Sequence, residues 1–149
     1  MNLTEKINQD LKTAMKSGDK LRTETIRSIR ALILEFEKSG SGKEFNTEEE
    51  IKLLTSAAKK RKDSIEQFRN AGREDLAVKE EKELEILREY LPKQLSKDEI
   101  KNEVARIAKE MNAVSQEDFS KLMPAAMKEL KGKADGKEVR SVVEEYLGK

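Results

Sequence analysis

The stretch from Lys59 to Pro92 constrains the fold more than any other part of the chain. It opens with four consecutive cations, passes a single glycine at Gly72 and then turns acidic. Apolar residues recur at helical spacing on both sides of that glycine. A proline disfavours helical geometry in the residue before it, so the second run should end at Leu91. The stretch therefore predicts a helical hairpin with a basic arm and an acidic arm.

The same spacing of apolar residues continues through the rest of the sequence. Leu3, Ile7 and Leu11, for example, are four residues apart, as one buried helix face requires. No segment alternates at period two for long enough to indicate a strand. We therefore predict an all-α chain with seven helices, at about 3–17, 20–38, 48–71, 73–90, 97–111, 116–130 and 136–147.

Polar residues at fixed spacing predict where several of these helices begin. Three pairs have the spacing of a capping box: Thr47 with Glu50, Ser96 with Glu99, and Asp135 with Glu138. Pro124 lies inside the predicted sixth helix, where its missing amide hydrogen is expected to kink or break the helix.

The junction at Leu91-Pro92 is the best candidate for a domain boundary. It ends one helix, and the Ser96 capping box starts another at once. We expect an N-terminal helical hairpin bundle at residues 1–92 and a small C-terminal three-helix tail domain at residues 93–149.

Composition excludes several classes of function. The chain contains neither Cys nor His, which removes thiol nucleophiles, the usual zinc ligands and the commonest proton-transfer residue. No combination of the remaining side chains forms a catalytic constellation, and we expect no metal and no cofactor. No apolar run approaches the ~20 residues of a spanning helix, so a protein of the cytoplasm, away from membranes, is expected.

The charge contrast across Gly72 is the sharpest local signal. Residues 59–73 carry six cations and two anions, a net of +4, whereas residues 74–89 carry three cations and seven anions, a net of −4. One interpretation is that two solvated helix faces attract each other, with pairs worth ~0–1 kcal/mol each. The other is that the basic arm binds phosphates through outward-facing side chains, namely Lys59, Lys60, Lys62 and Arg69.

A second basic segment contains two glycines, Gly132 and Gly136. It is not a Walker phosphate loop, because the G-x-x-x-x-G-K-[ST] spacing is missing. A C-cap glycine followed by the N-cap residue Asp135 explains its pattern. A weaker alternative is that the start of the last helix holds a nucleic-acid phosphate together with three lysines, Lys131, Lys133 and Lys137.

Several motifs together resemble the GatB/YqeY family. Three segments of the chain resemble the family's hallmark sequence. They are KKRKDSIEQF at residues 59–68, AGREDLA at residues 71–77 and EYLPKQLS at residues 89–96. The segment KGKADGKEV at residues 131–139 resembles the family's tail motif, and RSIRAL at residues 27–32 resembles its N-terminal signature. One departure is Pro124, where the family often has glycine.

The resemblance implies an all-helical N-terminal part followed by a small helical tail. The same two modules resemble the C-terminal region of the B subunit of glutamine-dependent Glu/Asp-tRNA amidotransferase, which grips tRNA while other parts do the chemistry. The family is also labelled as a carbon–nitrogen ligase with glutamine as amido-N donor. This chain matches neither the phosphorylating portion nor the amidase of that enzyme.

Two hypotheses about function follow. The first is a tRNA-binding module that uses the lysines of both basic segments. The second is an accessory subunit that docks on a protein complex through the helical hairpin. The absence of His, Cys and any triad argues against an independent amidotransferase and leaves such activity only within a complex. The sequence leaves the tRNA, the protein partner and the oligomeric state open.

The predicted boundary can be tested by limited proteolysis. Cleavage should fall near residues 91–96 or in the loop at residues 39–46, because exposed backbone outside helices is cut first. Mass spectrometry of the fragments identifies the sites. Cleavage mainly inside the third or the fifth predicted helix would contradict this layout.

Overall fold

The computed structural model describes residues 1–148, and over that range it contains seven α-helices, one short 3-10 turn and no strand. The prediction of an all-α chain is confirmed. The helices are α1 (Leu3–Ser17), α2 (Lys20–Lys38), α3 (Thr47–Asn70), α4 (Glu74–Arg88), α5 (Lys97–Met111), α6 (Phe119–Glu129) and α7 (Gly136–Tyr146), and the 3-10 turn spans Gln116–Asp118.

Five of the helices begin at a polar side chain that accepts an amide hydrogen of the first turn. These capping residues are Asn2, Asp19, Asn46, Ser96 and Asp135. A side-chain acceptor at this position satisfies a donor that the helix itself leaves free and stabilises the helix by ~1 kcal/mol. Gly72 separates α3 from α4 with a φ of 75°, a conformation that glycine adopts without steric cost.

The chain divides into two compact units, the first running from Met1 to Leu91 and the second from Pro92 onward. In the first unit, α3 packs along α4 and α1 along α2, and α2 also packs against α4. The fully buried side chains of its core are aliphatic: Ile7, Ile26, Ile29, Ile33, Leu54 and Leu87. Each such side chain contributes about 1.5–3 kcal/mol through burial.

The second unit is built from α5, α6 and α7, which all pack against one another. Its core is again aliphatic, and its fully buried side chains include Ile100, Val104, Leu122, Val139 and Val143. The Ser96 box predicted for α5 is present, with Ser96 and Glu99 each accepting from the other's backbone amide.

One predicted detail of helix geometry is wrong, and a second, left open between a kink and a break at Pro124, is narrowed. Thr47 does not cap α3: Asn46 accepts from the Glu49 amide at 3.0 Å, and the Glu50 carboxylate instead accepts from the Leu3 amide at 3.2 Å. Pro124 does not break α6, which runs continuously from Phe119 to Glu129. The proline lies on the exposed side of the helix, where the carbonyl left without its amide donor can be hydrated.

One hydrogen bond ties the two ends of the first unit together. The Tyr90 hydroxyl donates to Asp10 Oδ2 at 2.6 Å, across 80 residues of sequence. Burial and the bond to this carboxylate raise the pKa of Tyr90 well above its ordinary value. Burial works in the opposite sense on Asp10, but the hydrogen bonds from Tyr90 and Lys6 outweigh it and hold the pKa of Asp10 below its ordinary value.

Replacing Tyr90 with Phe should lower the free energy of unfolding by about 1.5 kcal/mol, because the change removes a hydrogen bond to a charged group and keeps the ring. The lowered pKa of Asp10 means that its contribution is present above about pH 4 and is lost as pH falls through the folded-state pKa. The raised pKa of Tyr90 means that its contribution is full below about pH 10 and is lost at higher pH. Urea denaturation at several pH values measures the difference.

The second tyrosine of the chain supplies the matched control. Tyr146 is exposed on α7, so Tyr146→Phe should leave the unfolding free energy unchanged. If Tyr90→Phe had no greater effect than this control between pH 5 and pH 9, the hydrogen bond to Asp10 would not stabilise the fold.

Candidate nucleic-acid interface

The four consecutive cations at residues 59–62 do not share one face of α3. Successive helical residues point about 100° apart, so a run of four must spread around the helix. Lys59 and Lys60 are exposed, and neither has an ion-pair partner among residues 1–148. Lys62 is half-buried and takes part in an interaction within the protein. Of these four cations, only Lys59 and Lys60 therefore present unpaired positive charge to solvent.

Arg61 points toward α4. Its guanidinium forms an ion pair with Glu83 and a second one with Glu80 at 3.2 Å, and it donates to Ser28 Oγ of α2 at 3.0 Å. The side chains of Arg61 and Glu83 are only 17% and 11% exposed. Arg61 is therefore a structural cation that joins three helices.

The inward direction of Arg61 could have been predicted from the sequence, although the comparison of charges across Gly72 did not indicate it. Arg61 lies three residues after Ala58 and four before Ile65, on the stripe that packs against the core. On α4, Glu80 and Glu83 fall at helical spacing with the buried Leu87. A cation and two anions on facing apolar stripes are expected to pair, because an isolated buried charge is costly.

Arg69 lies at the C-terminal end of α3 and is engaged by carboxylates of α4. Its guanidinium forms ion pairs with Glu74, at 3.2 Å, and with Glu81. The hydrogen bonds that Arg69 donates to Glu74 and Glu81 raise its pKa above the ordinary value. Its charge is thus present but already compensated, which leaves less attraction for a phosphate.

The basic segment of the second unit is a tightly held loop with exposed lysines. Gln94 Nε2 donates to the Gly132 carbonyl at 2.6 Å, and the Leu95 amide donates to the Lys133 carbonyl at 2.8 Å. The side chains of all three lysines, Lys131, Lys133 and Lys137, are exposed. Lys131 takes part in a further interaction within the protein, whereas Lys133 and Lys137 have no ion-pair partner within residues 1–148.

The amides at the start of α7 are less suited to a phosphate than the lysines. The Lys137 amide already donates to Asp135 Oδ1 at 3.0 Å, and the carboxylate of that residue occupies the helix N-terminus. A phosphate there would meet a negative charge, so phosphate contacts in this segment fall to the side chains of Lys133 and Lys137.

The described residues offer little else for chemistry. Residues 1–148 contain no group of three or more acidic side chains placed to hold a metal ion. None of the helices in that range is long and apolar enough to cross a membrane. The remaining large feature is an open apolar groove between α2 and α3, with a volume of about 680 Å³.

Comparison with known proteins identifies related sequences along the whole chain. The family model described as Yqey-like protein matches residues 4–147. A protein of Pyrenophora tritici-repentis named Altered inheritance of mitochondria protein 41, mitochondrial, is 33% identical over 148 residues, which cover 96% of this chain and 80% of that protein. The protein of the same name from Lachancea thermotolerans is 39% identical over 85 residues, or 57% of this chain and 46% of that protein.

Replacing Arg61 with Met should lower the free energy of unfolding by about 3 kcal/mol, because it leaves the buried Glu83 carboxylate without its cation. Adding Glu83→Leu to the same chain should recover at least half of that loss, because the unpaired charge is then removed as well. Urea denaturation followed by helical circular dichroism measures all three proteins.

The neighbouring lysine is the matched control for this prediction. Lys60→Met removes an adjacent but exposed cation and should change the unfolding free energy by no more than about 0.5 kcal/mol. Equal effects of Arg61→Met and Lys60→Met would show that Arg61 has no structural role.

Proposed function

Because this chain belongs to the YqeY-like protein family, we propose that it is an RNA-binding module that recognises folded tRNA through two sets of exposed lysines. Lys59 and Lys60 form the first set, on α3, and Lys133 and Lys137 form the second, in the segment that leads into α7. The proposal follows the family's resemblance to the tRNA-gripping region of the amidotransferase B subunit.

The observation that carries the proposal is the unpaired state of these lysines. Although the chain has 31 basic and 30 acidic residues, only some of its cations, such as Arg22, Arg61 and Arg106, are held in ion pairs. The four lysines lack an ion-pair partner within residues 1–148 and are exposed, as Lys101 and Lys109 also are, but unlike those two they fall in the two basic segments that match the family motifs. Unpaired surface cations are the groups that replace counterions along a phosphate backbone.

Three further candidates, Lys62, Arg69 and Lys131, have a smaller part in the proposal. Each already interacts within the protein, and Arg69 in particular pairs with two carboxylates. Moving such a cation onto a phosphate gives up an existing interaction, which leaves little net gain in affinity.

Low net charge makes selective binding more plausible than general attraction to nucleic acid. With a formal charge of +1, the protein has no long-range field that would hold any polyanion. Binding must come from local lysine contacts within each unit, which favours a folded RNA that offers phosphates to both sets. The proposed module therefore recognises the shape of the RNA. Because the chain contains neither His nor Cys, we assign any amidotransferase activity to a complex and none to this chain by itself.

We also propose the cytoplasm as the compartment of this chain. The alternative compartment is the mitochondrion, because relatives in Pyrenophora tritici-repentis and Lachancea thermotolerans carry the word mitochondrial in their names. A fluorescent fusion of the full chain, imaged in its own cell, tests the compartment directly.

Replacing Lys59 and Lys60 with Glu should weaken binding of unmodified tRNA and flatten its dependence on salt. Each lost phosphate contact should reduce the slope of log K against log salt by about 0.7–0.9. The change Lys133→Glu with Lys137→Glu should act in the same direction. Helix content should be preserved, because Glu forms helices nearly as well as Lys. Filter binding between 25 and 200 mM salt measures both slopes.

The control carries the same charge change on α5, at Lys101 and Lys109, which are exposed and lie outside both lysine sets. It should bind tRNA with the wild-type slope. If all three double variants bound equally, or if the wild-type protein bound no tRNA at low salt, the RNA proposal would fail. A protein-docking subunit would then be the better account.

A further inference from the structure

We propose that the groove between α2 and α3 is a docking site for an amphipathic helix of a partner protein. The inference does not rest on the RNA proposal, because it concerns a different ligand, although both surfaces include Lys60. It also assigns the bound helix a direction: a basic N-terminal end near the α2–α3 loop and an acidic C-terminal end near Lys60.

The packing of the first unit leaves this groove open. α3 packs chiefly on α4 and α2 chiefly on α1, so the facing sides of α2 and α3 make little contact with each other. The groove between them follows α2 from Ser28 to Ser39. Twelve residues of helix extend about 17 Å, which matches three turns of a bound helix.

The floor of the groove is apolar. Leu32 and Phe36 line it from α2, and Leu53 and Ala57 line it from α3, all four of them only half-buried. The centre of the Phe36 ring lies 5.1 Å from that of the Phe45 ring, which places a second aromatic side chain at the end of the groove near the α2–α3 loop. An elongated apolar floor between two parallel walls suits a helix with apolar residues at positions i, i+4 and i+7.

Charge at the two ends of the groove differs in sign. Glu35 lies near the α2–α3 loop and Lys60 lies at the opposite end, and both line the groove. Neither has an ion-pair partner among residues 1–148. Glu49 also lies near the loop but is engaged by Lys52 at 3.6 Å and Lys43 at 3.9 Å. The unpaired charges are therefore negative at one end and positive at the other.

This polarity selects a protein helix as the occupant and sets its orientation. A helix carries partial positive charge at its N-terminus and partial negative charge at its C-terminus. Its N-terminal end should therefore lie beside Glu35 and its C-terminal end beside Lys60, antiparallel to α2. A nucleic acid fits less well, because its phosphates would meet the carboxylates of Glu35 and Glu49 inside the groove.

The test uses a displayed library of 14-residue helix-forming peptides. The apolar positions vary among Leu, Ile, Met and Phe, and the first and last turns vary between Lys and Glu. Selection on the wild-type protein should enrich peptides with Lys in the first turn and Glu in the last. The reversed arrangement should bind about tenfold more weakly, because two favourable charge pairs become two unfavourable ones.

Variants of the protein locate the binding and test its direction. Leu32→Gln makes the floor polar, and Ser56→Trp obstructs the groove from an exposed position that lies outside the core. Each should reduce binding of an enriched, fluorescein-labelled peptide at least tenfold. Glu35→Lys combined with Lys60→Glu should reverse the preferred charge order. The matched control swaps charges on the second unit, at Lys101 and Glu117, and should change nothing.

Four results would overturn the inference. They are an absence of enrichment, enrichment without charge order, equal binding to the Ser56→Trp protein, and a charge swap that leaves the preference unchanged. A single-stranded RNA 12-mer is tested in parallel. If Leu32→Gln and Ser56→Trp abolished binding of that RNA while leaving peptide binding intact, the groove would be a nucleic-acid site.

Discussion

The ion pairs of Arg61 are the contact on which the arrangement of the first unit depends. A half-buried guanidinium must find carboxylates, because leaving it unpaired costs several kcal/mol. Glu80 and Glu83 meet that requirement only when α3 and α4 pair in one register, and the bond to Ser28 adds α2 to the same centre. Arg61 and Ser28 also line one end of the open groove between α2 and α3, so the same centre borders that groove.

Arginines make most of the close ion pairs that join separate helices of this chain. Several arginines join separate helices or their ends: Arg22 pairs with Glu89 at 2.9 Å, Arg69 with Glu81, and Arg106 with Glu129 at 2.9 Å. The planar guanidinium fork suits such contacts, because one side chain can hold two carboxylates at once. Some exposed lysines, Lys60 among them, have no ion-pair partner within residues 1–148. A nearly neutral composition therefore conceals surfaces with local positive charge.

Helix positions were predictable because apolar spacing is a local signal. The bounds of α1, α2 and α5 follow directly from it. The inward direction of Arg61 was equally available, since the residue falls on the stripe between Ala58 and Ile65. Contacts between distant residues were not: the bond between Tyr90 and Asp10 joins positions 80 residues apart. The groove was also out of reach, because it depends on the distance between α2 and α3 rather than on the pattern of either helix.

Lys60 belongs to both proposed binding surfaces, and this has a thermodynamic consequence. A helix whose acidic end pairs with Lys60 removes one of the two unpaired lysines of α3 and brings carboxylates close to Lys59. A phosphate and a partner helix then compete for one ammonium group. By linkage, each ligand lowers the affinity of the other by the same factor. Screening over a Debye length of ~8 Å at physiological salt confines this coupling to the immediate neighbours of Lys60 and weakens it further as salt rises. RNA binding on α3 would therefore be sensitive to the occupancy of the groove without any change in the fold.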